Sequence, residues 1–218
     1  MNSYAIEVQS ADKIIAGKKL LDQVTLMVDY GSIVGLVGRN GSGKTVLFKC
    51  ICGFMKLSSG TIKVMGKEIG KNNAMPDETG IIIEAPGFVP GYSGFKNLSM
   101  LASINRKISK KDIYKVIEEV GLDPEDKKKV KNYSMGMKQR LAIAQAIMED
   151  QKILILDEPL NGLDDNGIIE MRKLFIKLKE QGKTILIASH MKEDIDYLCD
   201  SVYRMDRGIL QKVGSAVS

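Results

Sequence analysis

No stretch of this 218-residue chain approaches the ~18–20 consecutive apolar residues that span a bilayer. The longest apolar runs, at 152–157 and 184–188, have strand length and end in or beside charged and polar residues. The opening residues, MNSYAIEVQSADK, lack the basic-then-apolar layout of a secretory signal. These absences predict a soluble, cytosolic chain unless another chain holds it elsewhere. Cysteine is scarce. Cys50, Cys52 and Cys199 can build neither a disulfide framework nor a four-ligand zinc site, and they read as small buried hydrophobes in a reducing compartment. Arginine is scarce too, supplying only six of the 32 basic residues although it is the favoured reader of phosphates and bases. The net charge of +5 is mild and gathers at Arg106, Lys107, Lys110 and Lys111, then at Lys127, Lys128, Lys129 and Lys131. No aromatic residues interleave with these groups, so solvated faces and loops account for them, and no nucleic-acid partner is expected. With 44% hydrophobic and 27% charged residues, the chain can bury a substantial core and is not a disordered segment.

Strand-like and helix-like segments alternate, which predicts an α/β fold with a largely parallel sheet. Residues 6–8 and 21–28 read as short strands around a turn at Gly17, forming an N-terminal antiparallel β element. Residues 32–37 read as a buried strand, followed by a glycine-rich turn and a helix over 44–52. Further strands are predicted at 60–65 and at 81–83, the latter ending in Glu84-Ala-Pro86. Pro86, Gly87, Pro90, Gly91 and Gly94 mark a loop, followed by polar, lysine-rich helical segments such as 110–120. A helix over 135–149 carries Leu141, Ala144, Ile147 and Met148 on one face. Then follow a strand at 152–157, a helix at 165–181, a strand at 184–188, a helix near 192–199 and a final β element around 201–211. We read one domain over 1–218, with an α/β core of 1–85 and 150–218 and an inserted helical lobe at about 86–149.

The chemistry begins at Gly38-Arg-Asn-Gly-Ser-Gly-Lys44-Thr45, which matches G-x-x-x-x-G-K-[ST] with a strand before it and a helix after. Glycines at 38, 41 and 43 let the backbone turn tightly and aim N–H groups at an anion, together with those of Asn40, Ser42 and Val46. The helix that follows adds its positive end. Lys44 reaches the outer phosphates, and the Thr45 hydroxyl can ligate Mg²⁺. The strand Ile153-Leu-Ile-Leu-Asp157 places a carboxylate where it can stand beside Thr45, and Glu158 follows at the strand end, where it can polarise a water. Together these features point to nucleoside triphosphate hydrolysis.

Tyr133-Ser-Met-Gly-Met-Lys-Gln-Arg140 resembles the signature, usually written LSGGQ, of the nucleotide-binding subunits of ATP-binding cassette (ABC) transporters. Asn161-Gly-Leu-Asp164 is similar to that family's D-loop, and Ser189-His190 to its switch histidine. Alone, His190 would read as a satisfied polar residue at a strand end, and Ser134 with Gly136 as an ordinary helix start. The resemblance covers essentially the whole chain, with five motifs in the family's order. It implies a P-loop NTPase core, ATP with Mg²⁺, and a head-to-tail dimer in which Lys44 and Thr45 of one subunit face Ser134 and Gly136 of the other. Glu158 is then the general base, His190 holds the γ-phosphate region, and Thr45, Asp157 and Glu84 stand near the metal. It also implies a separate integral-membrane permease, which would hold the chain at the inner face of the cell membrane.

This sequence departs from the family pattern in several places. Met135 and Met137 replace a Gly and a Gln, and Val46 stands where a second hydroxyl residue is common. Neither Ile14 nor Ile15 is the aromatic that stacks on adenine, so apolar packing is expected there. Glu84 replaces the Q-loop glutamine. Glu84 with the Ser-x-Gly-Met signature resembles the bacitracin-resistance and lantibiotic-immunity branch of exporters. The competing reading is a soluble ABC-type ATPase acting as an assembly or mechanical factor, although the chain has neither a long coiled-coil insert nor a second cassette. Another is a partner cassette with little hydrolysis, against which Lys44, Asp157, Glu158 and His190 argue.

Overall fold

The structure, a computed structural model, describes residues 4–71, 74–84 and 87–215. Ala85 and Pro86, placed by the sequence at a strand end and loop start, lie outside these residues. Two sheets organise the chain. The first is antiparallel, in the order β2-β1-β4-β5, from β1 (Ile6–Ile15), β2 (Lys18–Val28), β4 (Ser59–Val64) and β5 (Lys67–Glu68). The second runs β10-β9-β3-β8-β7-β6, from β3 (Ile33–Val37), β6 (Thr79–Ile82), β7 (Ile153–Asp157), β8 (Thr184–Ala188), β9 (Ser201–Asp206) and β10 (Ile209–Ser215). Its neighbours pair in parallel except for the antiparallel edge hairpin β9–β10.

The central strands are continuous apolar runs because both of their faces are covered. Alternation sends Ile33, Leu154, Leu156, Ile185 and Ile187 to one core, and Val34, Leu36, Ile153, Ile155 and Leu186 to the other. The second core lies between the two sheets. Helix α1 (Lys44–Ile51) packs there against β2, β4 and β7 through Leu47, Phe48 and Ile51. The first core joins the opposite sheet face to α2 (Gly94–Asn105), α3 (Lys110–Glu119), α4 (Met135–Ile147) and α5 (Asp165–Glu180). Helix α6 (Lys192–Leu198) adds Ile195 and Leu198 to it. All three cysteines are free and buried.

The elements differ from the sequence reading in three places. First, β1 and β2 extend to a turn at Ala16–Gly17. Register shifts between Val8 and Ala11 and between Ala11 and Lys13 break the two-residue alternation that marks a strand. Second, Gly94 opens α2 instead of belonging to the preceding loop. Ser93 caps that helix by accepting from Lys96 N, and the absent side chain of Gly94 makes room for Tyr133, whose Oη would stand 2.8 Å from a Cβ. Third, the last β element is a hairpin, with β9 joining the parallel sheet.

Candidate active site

The glycine-rich loop spans the gap between the end of β3 and the start of α1. Gly41 (φ 76°) and Gly43 (φ 118°) occupy left-handed conformations that suit glycine. At Gly38 a Cβ would stand 2.3 Å from the Met205 carbonyl oxygen, so only glycine fits. Helix α1 has no side-chain cap and no acid in its first turn, which leaves its first N–H groups available to an anion. Lys44 is buried, and its Nζ donates to the carbonyls of Gly38 (2.7 Å) and Arg39 (3.3 Å). The Ser42 hydroxyl is buried without a partner. An orphaned hydroxyl, an inward ammonium and an uncapped helix start fit a triphosphate.

Thr45 Oγ1 donates to Asp157 Oδ2 at 2.6 Å, bringing the loop and the end of β7 together across 112 positions of sequence. Among the described residues no cluster of three His, Cys, Asp or Glu could hold a metal alone. Thr45 and Asp157 fit as a hydroxyl and a carboxylate that would hold Mg²⁺ only together with ligands from outside the chain. Glu158 follows in a left-handed conformation (φ 52°) that a non-glycine residue adopts rarely. Its N–H donates to Ala188 O on β8 (2.9 Å), which turns the side chain toward His190. Glu158 Oε2 lies 2.9 Å from His190 Nδ1 and 3.4 Å from the His190 backbone N–H. The glutamate is the better shielded partner, with its side chain 21% exposed against 51% for the histidine.

Two residues not singled out in the sequence hold that histidine segment. Buried Asp194 accepts from the Ser189 hydroxyl (3.1 Å) and forms an ion pair with Arg172 of α5. Ser189 in turn accepts from the Met191 backbone N–H. An acid beside the apolar Ile195 is the only sequence trace of this support.

A cleft of about 1260 Å³ runs from the loop residues 40–46 to Asp157, Glu158 and Asn161. Lys18–Leu20 and the 207–208 turn form one side, and Phe88, Pro90, Met135, Lys138 and Gln139 reach it from the helical segment. Ile14 and Ile15 are about half exposed and do not line it, whereas Leu20 does and is the apolar residue on that side. Glu84 does line it, but its carboxylate pairs with Lys49 Nζ at 2.6 Å, one turn of α1 beyond Thr45. Its recorded partner is thus an ammonium, not Thr45 or Asp157. Ser134 and Gly136 do not line it. Ser134 caps α4 by accepting from Met137 N (3.2 Å), and Gly136 packs against the Gly162 carbonyl. Met135, 66% exposed, lies over Gly162, so signature and D-loop touch within one chain. Asp164 caps α5 by accepting from Gly167 N.

Comparison with known proteins identifies this arrangement. The family model described as "ABC transporter" matches residues 21–161. The chain is 41% identical over 206 residues to the uncharacterized ABC transporter ATP-binding protein YybJ of Bacillus subtilis (strain 168), covering 94% of each chain. It is 40% identical over 209 residues to the bacitracin transport ATP-binding protein BcrA of Enterococcus faecalis, covering 95% of this chain and 68% of that one. Among solved structures, the dimeric bacterial ABC transporter cassette MJ0796 shares the fold, with a TM-score of 0.87 over 98% of this chain and 99% of that one at 19% identity. The family match spans well over half of the chain, and this protein belongs to the ABC transporter family, as one of its ATP-binding, ATP-hydrolysing cassettes.

Proposed function

We propose that this cassette powers a separate membrane permease, as an exporter of the bacitracin-transport type, by closing head to tail with a second cassette around two ATP molecules. The observation that carries this reading is the adjacency of two pairs, Thr45–Asp157 and Glu158–His190, at the ends of neighbouring strands β7 and β8. The first pair is suited to a metal-bound phosphate. The second pairs a shielded carboxylate with a histidine that orients it, as a general base toward water requires. Lys44 and the backbone N–H groups of 40–46 hold the phosphates. His190 holds Glu158 and faces the γ-phosphate region. Mg²⁺ held by Thr45 and Asp157 neutralises charge on the phosphate oxygens when bound.

A second copy enters the reading because Ser134 and Gly136 lie outside the cleft of their own chain. Ser134 caps the start of α4 through Met137 N, and the positive end of that helix suits an anion presented by a partner. Among the described residues no helix is long and apolar enough to cross a membrane, so the permease must supply the span and hold the cassette at the cytoplasmic face. Residues 86–149 would act as the lobe that swings, with Glu84 at its hinge. A groove of about 440 Å³ between β6, α2 and α4, lined by Ile104, Gln145 and Glu149, would seat the permease. If a multi-span membrane protein is encoded beside this chain, coexpression with it tests the reading. Joint purification with faster ATP turnover is the expected result. Turnover without a retained membrane protein would make this a soluble ATPase.

A further inference from the structure

The turn joining β9 to β10 is a tight, left-handed pair of residues. Its two residues, Arg207 (φ 47°) and Gly208 (φ 85°), are both left-handed, the pattern of a two-residue hairpin turn that favours asparagine followed by glycine. Ala16–Gly17 and Met65–Gly66 turn in the same way, so the contacts around this turn, more than its backbone, set it apart. The turn is also clamped. Gly208 N donates to Ser42 O in the phosphate loop (2.8 Å), and Asp22 N donates to Gly208 O (2.9 Å). A Cβ on Gly208 would stand 2.7 Å from Leu20 O, so the turn sits tightly against β2. The backbone that carries Arg207 is thereby held at the cleft wall, whose lining also includes Lys18, Lys19 and Leu20.

That wall is the base end of the cleft. On the nucleotide reading, the outermost phosphate reacts beside Glu158 and the phosphate loop holds the chain of phosphates, which directs ribose and base to the Lys18–Leu20 side of the cleft. Leu20 O itself would stand 2.9 Å from a Cβ on Gly43. Phe88 is the single aromatic lining the cleft among the described residues, and it stands with Pro90 on the helical side. Nothing at the base end offers a π face. A planar guanidinium can replace one, since it stacks on aromatic rings and is weakly hydrated. Arg140 and Arg172 are committed to Glu170 and Asp194, whereas Arg207 is exposed and has no ion-pair partner among the described residues.

We propose that Arg207 is the base-stacking residue of this cassette, its guanidinium covering the purine while Leu20 supplies apolar contact. The proposal rests on the nucleotide reading of the cleft. Calorimetric titration of the full chain with Mg-ATP and with inorganic tripolyphosphate, which has no base, separates the two. Arg207→Asn removes the guanidinium and suits the turn, so its melting temperature should hold or rise. Its ATP affinity should fall about 3- to 30-fold while tripolyphosphate binding stays within about twofold. Arg207→Lys keeps the charge without the plane, and its ATP affinity should fall at least about threefold.

Wild-type ATP affinity in the lysine variant would reduce Arg207 to a charge and overturn the proposal. Equal losses for both ligands in the asparagine variant would make it a phosphate contact, and an unchanged ATP affinity would leave it no role. If the wild-type chain binds tripolyphosphate as tightly as ATP, no base contact exists. Binding of neither ligand would remove the nucleotide reading itself.

Discussion

Glu158→Gln isolates the base chemistry from the geometry that holds it. Glutamine has the same reach, and its amide can accept from or donate to the groups now 2.9 and 3.4 Å from Oε2. The Glu158–Ala188 backbone bond is untouched, so the rare φ of 52° persists. Exchanging a half-exposed, charge-assisted hydrogen bond for a neutral one costs about 1–2 kcal/mol or less. The basic carboxylate, however, is gone. Loss of a general base slows turnover roughly 10²- to 10⁴-fold, or about 3–5 kcal/mol of barrier. The variant should therefore melt within a few degrees of wild type, bind ATP normally and accumulate as an ATP-bound dimer. Phosphate release at saturating Mg-ATP, gel filtration with and without nucleotide, and thermal melts read all three. Turnover within about threefold of wild type would refute the assignment. Loss of ATP binding alongside turnover would mean that Glu158 supports the fold of the cleft and not the attack on phosphate.

Ser134→Arg should spare ATP binding by the isolated chain but abolish nucleotide-driven dimers and hydrolysis in sedimentation and phosphate-release assays. Loss of the α4 cap lowers stability by about 0.5–2 kcal/mol, and unchanged hydrolysis would end the head-to-tail reading. Glu84→Gln removes an ion pair whose side chains are 28% and 64% exposed, so about 1 kcal/mol or less is at stake. It should leave ATP affinity nearly unchanged and alter permease-stimulated turnover more than basal turnover; equal effects on the two rates would place Glu84 in the chemistry itself. Burial pushes the Cys50 thiol up to about 11 and those of Cys52 and Cys199 up to about 12. The folded state holds these protons past the ordinary value of 9.0, so this contribution to stability is full below pH 9 and falls as pH rises toward 11–12. Thiol reagents at pH 7.5 should label none of the three in native protein and all of them in denaturant.

Much of the fold was legible because its signals are local. The strand at 184–188 and the helix that begins at Lys44 fall where periodicity and the glycine-rich turn place them. A strand covered on both faces must be apolar throughout, and that signature survives in a single sequence. Helix α2 was not separately legible, since it starts on a glycine whose purpose is the approach of Tyr133, 39 positions away. The reach of β1 was hidden by bulges that shift the alternation.

The same division runs through the site. Residue types and spacing within 38–45 were enough to propose a phosphate loop, because backbone N–H groups, a lysine and a helix start are supplied by consecutive residues. Contacts between distant segments were beyond sequence. The Thr45–Asp157 bond depends on β7 lying beside the start of α1, and Glu158 meets His190 only because Ala188 of β8 holds the Glu158 N–H. Lys49 opposite Glu84, Arg172 beneath Asp194 and Arg207 beside Leu20 likewise follow from which elements pack together. Sequence determined the chemistry available at each point of the chain. Tertiary structure alone decided which charges face each other, because an electrostatic or hydrogen-bonded pair exists only at a few ångströms, and sheet order brings positions more than a hundred residues apart to that distance.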